Sequence, residues 1–176
     1  MSSIITISGK YFDPTAPDPK LIDINDIAHA LSFLCRANGH EKCFYSVAQH
    51  SIACAREAIA QELPRDIILG CLLHDASEAY LSDVTRPIKK DLPYYLEVED
   101  ILQSLIWEHF LGRSLTDEER NIIFGIDDLL LSMEFHVNLA CDLNEDYLKL
   151  RTEPSFEFRD FAEVRKEFLE LFNQYA

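Results

Sequence analysis

The sequence contains few basic residues. Its 176 residues include 16 Lys and Arg against 31 Asp and Glu, the formal net charge is −15, and the basic residues form no dense run. Proteins that follow a nucleic-acid backbone gain affinity from clustered Lys and Arg, so we expect no nucleic-acid partner. A small phosphorylated ligand remains compatible with this charge, because a metal ion and a few basic side chains can hold a single phosphate group.

Long hydrophobic runs are also missing. No apolar stretch approaches the roughly 20 residues needed to span a bilayer, and the first residues lack a basic start followed by an apolar segment. We therefore expect a soluble, unprocessed protein with no membrane partner. The cysteines are odd in number and form no CxxC pair, which favours reduced core thiols in a cytoplasmic protein. They are Cys35, Cys43, Cys54, Cys71 and Cys141.

Apolar residues spaced three and four apart dominate the chain after residue 20, which predicts an all-α bundle in a single domain, residues 1–176. Before them, the alternating segment 4–13 predicts a small β-hairpin. Capping boxes predict two helix starts, one formed by Ser46 and Gln49 and one by Thr116 and Glu119. The helices are predicted over residues 23–36, 46–61, 65–80, 95–112, from 116 through "IIFGIDDLLLSMEFHVNLA", and 161–175.

Ionisable residues follow apolar segments in several of these helices. The third helix is apolar on nearly every side over 67–73, which marks a central helix, and His74 and Asp75 come directly after it. Asp127 and Asp128 lie between "IIFGI" and "LLLSM", and His50 follows Val47 on the second helix. A buried carboxylate needs a cation, a metal or strong donors. Histidines and carboxylates from three helices therefore predict a site for a divalent ion.

The alternative is that each of these residues is an ordinary polar side chain at a helix end. A His-Asp dipeptide alone is a weak signal, and a lone histidine is more often a satisfied core residue than a ligand. Adjacent helical residues also point in different directions, so His74 and Asp75 can reach one ion only where helices cross. His29, His109 and His136 fall outside the pattern and are interpreted as structural. Trp107 and the phenylalanines, at helical spacing, are interpreted as core.

Three segments, "YSVAQHS", "LLHDASEAYLSDVTRPIK" and "IDDLLLSMEF", resemble the ordered motifs of the HD-domain metal-dependent phosphohydrolases. The resemblance runs from the first predicted helix to about Glu134. It is closest to small bacterial 5'-deoxynucleotidases and to phage deoxynucleoside triphosphate (dATP) phosphohydrolases. It implies an HD-domain helical bundle that hydrolyses deoxynucleotides.

The resemblance also implies roles for individual residues. His50, His74, Asp75 and Asp127 would be the metal ligands, with Asp127 preferred to Asp128 because Asp127 lies two helical turns before Glu134. Glu78 would act on the attacking water or the leaving group, and Asp83 would assist it. The helical spacing of four residues between His74 and Glu78 independently predicts that Glu78 lies over the metal.

The phosphate-binding residues implied by the resemblance are Arg36, which precedes the ligand histidine, and Lys89, which follows the HD pair. His40, four residues after Arg36, is a further candidate. Each of the three could equally be a surface charge. Ala37 stands where the bacterial nucleotidases are expected to have an aromatic residue, which leaves the shape of the base or sugar pocket open.

Two absences narrow the mechanism. The segment between Asp75 and Asp127 holds only one histidine, His109, so the extra histidine pair of a two-metal phosphodiesterase is missing. No activated Ser or Cys is apparent, so attack by water is preferred.

Mn²⁺, Co²⁺ and Mg²⁺ all suit two imidazoles and two carboxylates, and Zn²⁺ is a further candidate. The substrate could be a mono- or a triphosphate, and amphipathic helices predict a homo-oligomer. The alternative function is a non-catalytic HD-like binding or regulatory module.

Overall fold

The fold of the protein is seen in a computed structural model that describes residues 3–141 and 143–176. Eight α-helices and one two-stranded antiparallel hairpin occur in these residues. The hairpin pairs β1, Ile4–Ile5, with β2, Tyr11–Phe12. The helices are α1 Ile24–Phe33, α2 Val47–Ala60, α3 Arg65–Leu72, α4 Glu78–Leu81, α5 Arg86–Lys89, α6 Pro93–Leu111, α7 Asp117–Leu139 and α8 Phe161–Tyr175. The predicted all-α architecture and its hairpin are confirmed.

Local sequence signals explain most helix ends. Ser46 and Gln49 form the predicted capping box before α2, and Thr116 and Glu119 form the one before α7. Helix α6 ends at Gly112, whose φ of 72° is readily adopted by glycine. Helix α8 has the predicted bounds and begins after Asp160, which accepts a hydrogen bond from the Ala162 amide.

Helix α3 is the central helix, as its apolar sequence predicts. It packs against α2, α6, α7 and α8, and every residue from Ile67 to Leu73 is buried. Trp107 of α6 is 1 % exposed and donates from Nε1 to the carbonyl of Gly70, so its predicted core position is confirmed. This packing places the carboxyl end of α3, with His74 and Asp75, in the interior of the bundle.

The prediction of one continuous helix over residues 65–80 is wrong. The backbone leaves the helix after Leu72, passes through a turn and resumes as α4 at Glu78. Gln103 of α6 explains how the break is stabilised: its Nε2 donates to the Leu73 carbonyl at 2.7 Å, and its Oε1 accepts from the Ser77 amide at 3.0 Å. These two backbone groups would pair with each other in a continuous helix. One buried amide side chain therefore provides a partner for both of these backbone groups.

The prediction that all five cysteines are core residues is only partly right. All five are free thiols, but only Cys54 and Cys71 are buried, whereas Cys35 and Cys43 are half-buried and Cys141 is exposed. The phenylalanines also divide, since Phe33, Phe124 and Phe158 are exposed. Among the described helices, none combines the length and apolar character required to cross a bilayer.

Candidate functional site

A cavity of about 600 Å³ opens beside the break between α3 and α4. Its wall is formed by this turn, by α5 and the loop before it, and by one face each of α6 and α7. Seven of the residues predicted for the site line it, which are Arg36, His74, Asp75, Glu78, Asp83, Lys89 and Asp127. His50 lies directly behind His74 and is fully buried. The broken helix therefore gives the cavity its position.

The predicted ligands meet at one end of this cavity. Nε2 of His50 lies 3.2 Å from Nε2 of His74 and 2.9 Å from Oδ1 of Asp127. Nε2 of His74 lies 3.2 Å from Oδ2 of Asp75 and 3.7 Å from Oδ1 of Asp127. Neighbouring ligands of an octahedral ion, each bonded at about 2.1 Å, are about 3 Å apart. The spacing of these nitrogen and oxygen atoms therefore fits a divalent ion.

Hydrogen bonds hold both histidines with Nε2 directed at the predicted metal position. Nδ1 of His50 donates to Oε1 of Glu134 at 2.5 Å, and Nδ1 of His74 donates to the carbonyl of Cys71 at 2.7 Å. Metal-binding histidines usually donate their second ring nitrogen in this way, because that bond fixes the tautomer and the ring orientation. The break after α3 contributes here too, since it lets His74 turn back onto the last turn of that helix.

The carboxylates and imidazoles hold opposite charges in the absence of an ion. Burial would raise the pKa of Asp127, but hydrogen bonds from His50 and His74 lower it well below its ordinary value. Burial would lower the pKa of His74, yet Asp75 and Asp127 raise it well above its ordinary value. Binding of a metal requires neutral imidazoles, so an ion would release protons from this cluster.

Cys54 supplies a second donor set. The ligand atoms of His50, Cys54 and His74 all lie within 4.8 Å of one another, and Sγ of Cys54 is 3.5 Å from Nε2 of His50. Burial, together with the charge of Asp127, raises the pKa of the Cys54 thiol well above its ordinary value. Carboxylate oxygens suit Mg²⁺ and Mn²⁺, whereas a thiolate favours softer ions such as Zn²⁺, so for Mg²⁺ or Mn²⁺ the carboxylates are the better partners of the two histidines.

The lining charges also favour a cation in the cavity. Eight acidic side chains, among them Glu78 with its raised pKa, face four permanently basic side chains, and an anionic ligand would be repelled unless a metal offset this excess of acids. The acids are Glu41, Asp75, Glu78, Asp83, Glu99, Asp100, Asp127 and Glu134, and the bases are Arg36, Arg86, Lys89 and Arg120.

Arg36 is the most enclosed of the basic residues. Its Nε donates to Oε2 of Glu134 at 3.0 Å, and its Nη1 donates to Oδ2 of Asp75 at 3.3 Å. Lys89 donates to Oε1 of Glu99 at 2.7 Å and lies 3.8 Å from Oε1 of Glu78. Both cations therefore line the cavity, where Arg36 contacts the predicted ligand Asp75 and Lys89 lies beside Glu78.

Glu78 reaches the cavity by a different route from the one predicted. It does not share a helix with His74, because it begins α4 after the break. Its side chain is nevertheless buried, and Oε2 has no hydrogen-bond partner among the described residues. Burial, with the charges of Asp75 and Asp83, raises the pKa of Glu78 well above its ordinary value. Burial likewise raises the pKa of the half-buried Asp83.

His40 is the one predicted site residue that the structure does not bring to this site. Its side chain is exposed and does not line the cavity, although Ala37 and Glu41 on either side of it in the chain do. Asp128 is exposed, in agreement with the preference for Asp127.

Three residues with contacts at the site were not assigned a role from the sequence. Glu134 orients His50, Gln103 stabilises the break in the third helix, and Arg86 pairs with Asp127. The only sequence signal for Glu134 was its spacing of two turns from Asp127. Gln103 and Arg86 gave no signal, since their partners are 26 or more residues away in the chain.

Two bacterial proteins are similar to this chain. The uncharacterized protein YfdR of Escherichia coli (strain K12) is 42% identical over 110 residues, which cover 62% of this chain and 59% of YfdR. An uncharacterized protein of Rhodobacter capsulatus, RCAP_rcc00048, is 37% identical over 110 residues, covering 59% of this chain and 56% of that protein. The chain thus spans less than two thirds of either relative. No protein-family model matches the chain.

Proposed function

We propose that the protein is an HD-type, divalent-metal-dependent phosphohydrolase that acts on deoxynucleotides. One observation carries the proposal: His50, the adjacent pair His74 and Asp75, and Asp127, from three separate parts of the chain, meet at ligand distances beside an open cavity. Two oriented imidazoles and two carboxylates are ligands suited to Mn²⁺, Co²⁺ or Mg²⁺, with Zn²⁺ as a further candidate. A bound ion would lower the pKa of a water molecule and balance charge on a phosphate oxygen.

Side chains of the protein would supply proton transfer and phosphate binding. Burial, with the charges of Asp75 and Asp83, raises the pKa of Glu78 and so favours its protonated form, and Oε2 has no hydrogen-bond partner among the described residues. Glu78 is therefore placed to deliver a proton to the leaving oxygen or exchange one with water. The nearby Asp83 contributes to the raised pKa of Glu78, since like charges disfavour ionisation of both groups. Arg36 and Lys89 supply positive charge for the phosphate oxygens.

The apolar part of the cavity lining favours a nucleotide over inorganic phosphate as the substrate. Leu96, Phe124 and Phe135 form this part, and Phe124 is 44 % exposed, so its ring offers an apolar face to a base or sugar. The cavity volume lies in the range typical of sites for small organic ligands. Whether the substrate is a mono- or a triphosphate depends on which bond is hydrolysed.

The proposal extends to a cytoplasmic, homo-oligomeric enzyme without a nucleic-acid partner. Exposed apolar residues of α6 and α7, among them Tyr94, Ile101 and Ile122, supply surface for contacts between copies. These expectations rest on composition and exposure.

The test of function is a panel of deoxynucleoside mono-, di- and triphosphates incubated with Mn²⁺, with the products separated. We expect free phosphate, pyrophosphate or triphosphate from at least one substrate class. Glu78→Gln should lose turnover while it still binds Mn²⁺, since Glu78 is not among the ligands. A wild-type protein that binds Mn²⁺ but hydrolyses none of the panel would favour the binding or regulatory module instead.

A further inference from the structure

Arg86 joins two neighbouring acids of α7. It is the first residue of α5, and the two terminal nitrogens of its guanidinium group bind different carboxylates. Nη2 donates to Oδ2 of Asp127 at 2.9 Å, and Nη1 donates to Oδ1 of Asp128 at 2.9 Å. A planar guanidinium group can bridge two acceptors in a fixed geometry, which a lysine ammonium group cannot do.

The two oxygens of Asp127 consequently have separate partners. Oδ1 lies toward the histidines, 2.9 Å from Nε2 of His50, whereas Oδ2 is bound to Arg86. Without the Arg86 contact, the carboxylate could rotate about its last torsion, which has a broad energy profile. The contact with Arg86 therefore fixes the orientation of the carboxylate plane, with one oxygen directed at the ligand cluster and the other held by Arg86.

We propose that Arg86 is a positioning residue that fixes Asp127 as a one-oxygen ligand, with Asp128 as the anchor of its second arm. This inference rests on the metal site under "Proposed function" and deepens it. It also gives the Asp-Asp pair of α7 a division of roles. Asp127 is buried and faces the site, whereas Asp128 is exposed and holds Arg86 in place.

The direction in which removal of Arg86 changes the affinity for a divalent cation distinguishes a positioning role from a purely electrostatic one. Arg86 is positive, so by Coulomb repulsion alone its removal would strengthen the binding of a divalent cation. If Arg86 orients Asp127, its removal weakens binding, as loss of a group that orients a metal ligand does. The two accounts predict changes in opposite directions.

The experiment is a calorimetric titration of the 176-residue chain with Mn²⁺. We expect Arg86→Met to weaken Mn²⁺ binding by about 10- to 100-fold, the usual cost of losing such an orienting partner. Arg86→Lys should also weaken binding, because it keeps the charge but loses the bridge. Arg113→Met is the matched control: Arg113 also pairs with two acids, Asp66 and Glu119, but does not line the cavity. It should bind Mn²⁺ like the wild type.

Unchanged or tighter Mn²⁺ binding by Arg86→Met would overturn the inference and leave the metal site standing. A wild type that binds no Mn²⁺ would overturn both. Thermal unfolding without metal serves as the check on folding, and we expect a folded variant because the Arg86 side chain is 63% exposed.

Discussion

Replacing Glu134 by Gln tests the orientation of the histidines. Glu134 is 2% exposed and accepts two hydrogen bonds, at Oε1 from His50 and at Oε2 from Arg36. The amide of Gln keeps the shape of the side chain but turns one acceptor into a donor. Either His50 or Arg36 then faces a donor instead of an acceptor, and one buried donor loses its partner.

The magnitude follows from these two bonds. Loss of the partner that orients a metal-binding histidine weakens metal binding by about 10- to 100-fold, or about 1.4 to 2.7 kcal/mol. The buried donor left unpaired costs about 1 to 3 kcal/mol of folding free energy, independently of metal. Glu134→Gln should therefore show weaker Mn²⁺ binding and a lower melting temperature in metal-free buffer.

Calorimetric titration with Mn²⁺ and thermal unfolding measure the two effects separately. Glu167→Gln is the control, because Glu167 also pairs with two arginines, Arg56 and Arg159, but does not line the cavity. The control should bind Mn²⁺ like the wild type. If Glu134→Gln did so too, the proposed orientation of His50 by Glu134 would be refuted.

Two further predictions concern Glu57, a fully buried acid of α2 that accepts hydrogen bonds from Gln61 and from the backbone of Arg151 and Thr152. Glu57→Ala should lower the free energy of unfolding, measured by urea denaturation, by about 3 kcal/mol. Charge-assisted hydrogen bonds contribute about 1.5 to 3 kcal/mol each, and their contributions are not additive. A loss below about 0.5 kcal/mol, which is typical of surface substitutions, would contradict this prediction. Burial would raise the pKa of Glu57, but the bonds from Thr152, Arg151 and Gln61 outweigh it and lower this pKa. The stability it contributes is therefore present above the unfolded pKa and is lost as pH falls through the folded pKa. Glu57→Gln should accordingly lose less stability than the wild type between about pH 7 and about pH 3.5, and equal losses would show that Glu57 does not contribute.

The parts of the fold that depend on neighbouring residues were predictable from the sequence. Capping boxes at Ser46 and Thr116 placed the starts of α2 and α7, and the apolar spacing over 161–175 gave α8 its bounds. These signals lie within one or two helical turns, where hydrogen bonds and side-chain packing act locally.

The break after α3 was not predictable from neighbouring residues. Residues 65–80 have a helical pattern, and nothing within them requires an interruption. The backbone groups of Leu73 and Ser77 are instead satisfied by Gln103, which belongs to a helix that follows later in the chain. A tertiary hydrogen bond of this kind overrides local propensity, and a sequence pattern does not reveal it.

Some residues of the candidate site were predictable from the sequence, and others were not. The sequence singled out His50, His74, Asp75 and Asp127 because ionisable residues in apolar helices need partners, and the structure brings them together. His40 was chosen for its closeness to Arg36 in the chain, but its side chain is exposed and does not line the cavity. Arg86 was given no role from the sequence, and its bonds to Asp127 and Asp128 become visible only in the folded chain.

The central claim is that two histidines and two aspartates bind one divalent ion. Its most direct test is the stoichiometry and affinity of Mn²⁺ binding to the wild type, Asp75→Ala and Cys54→Ala. We predict one ion bound by the wild type and by Cys54→Ala, and loss of binding in Asp75→Ala. A wild type that binds no ion, or binding that survives in Asp75→Ala and is lost in Cys54→Ala, would contradict this ligand set.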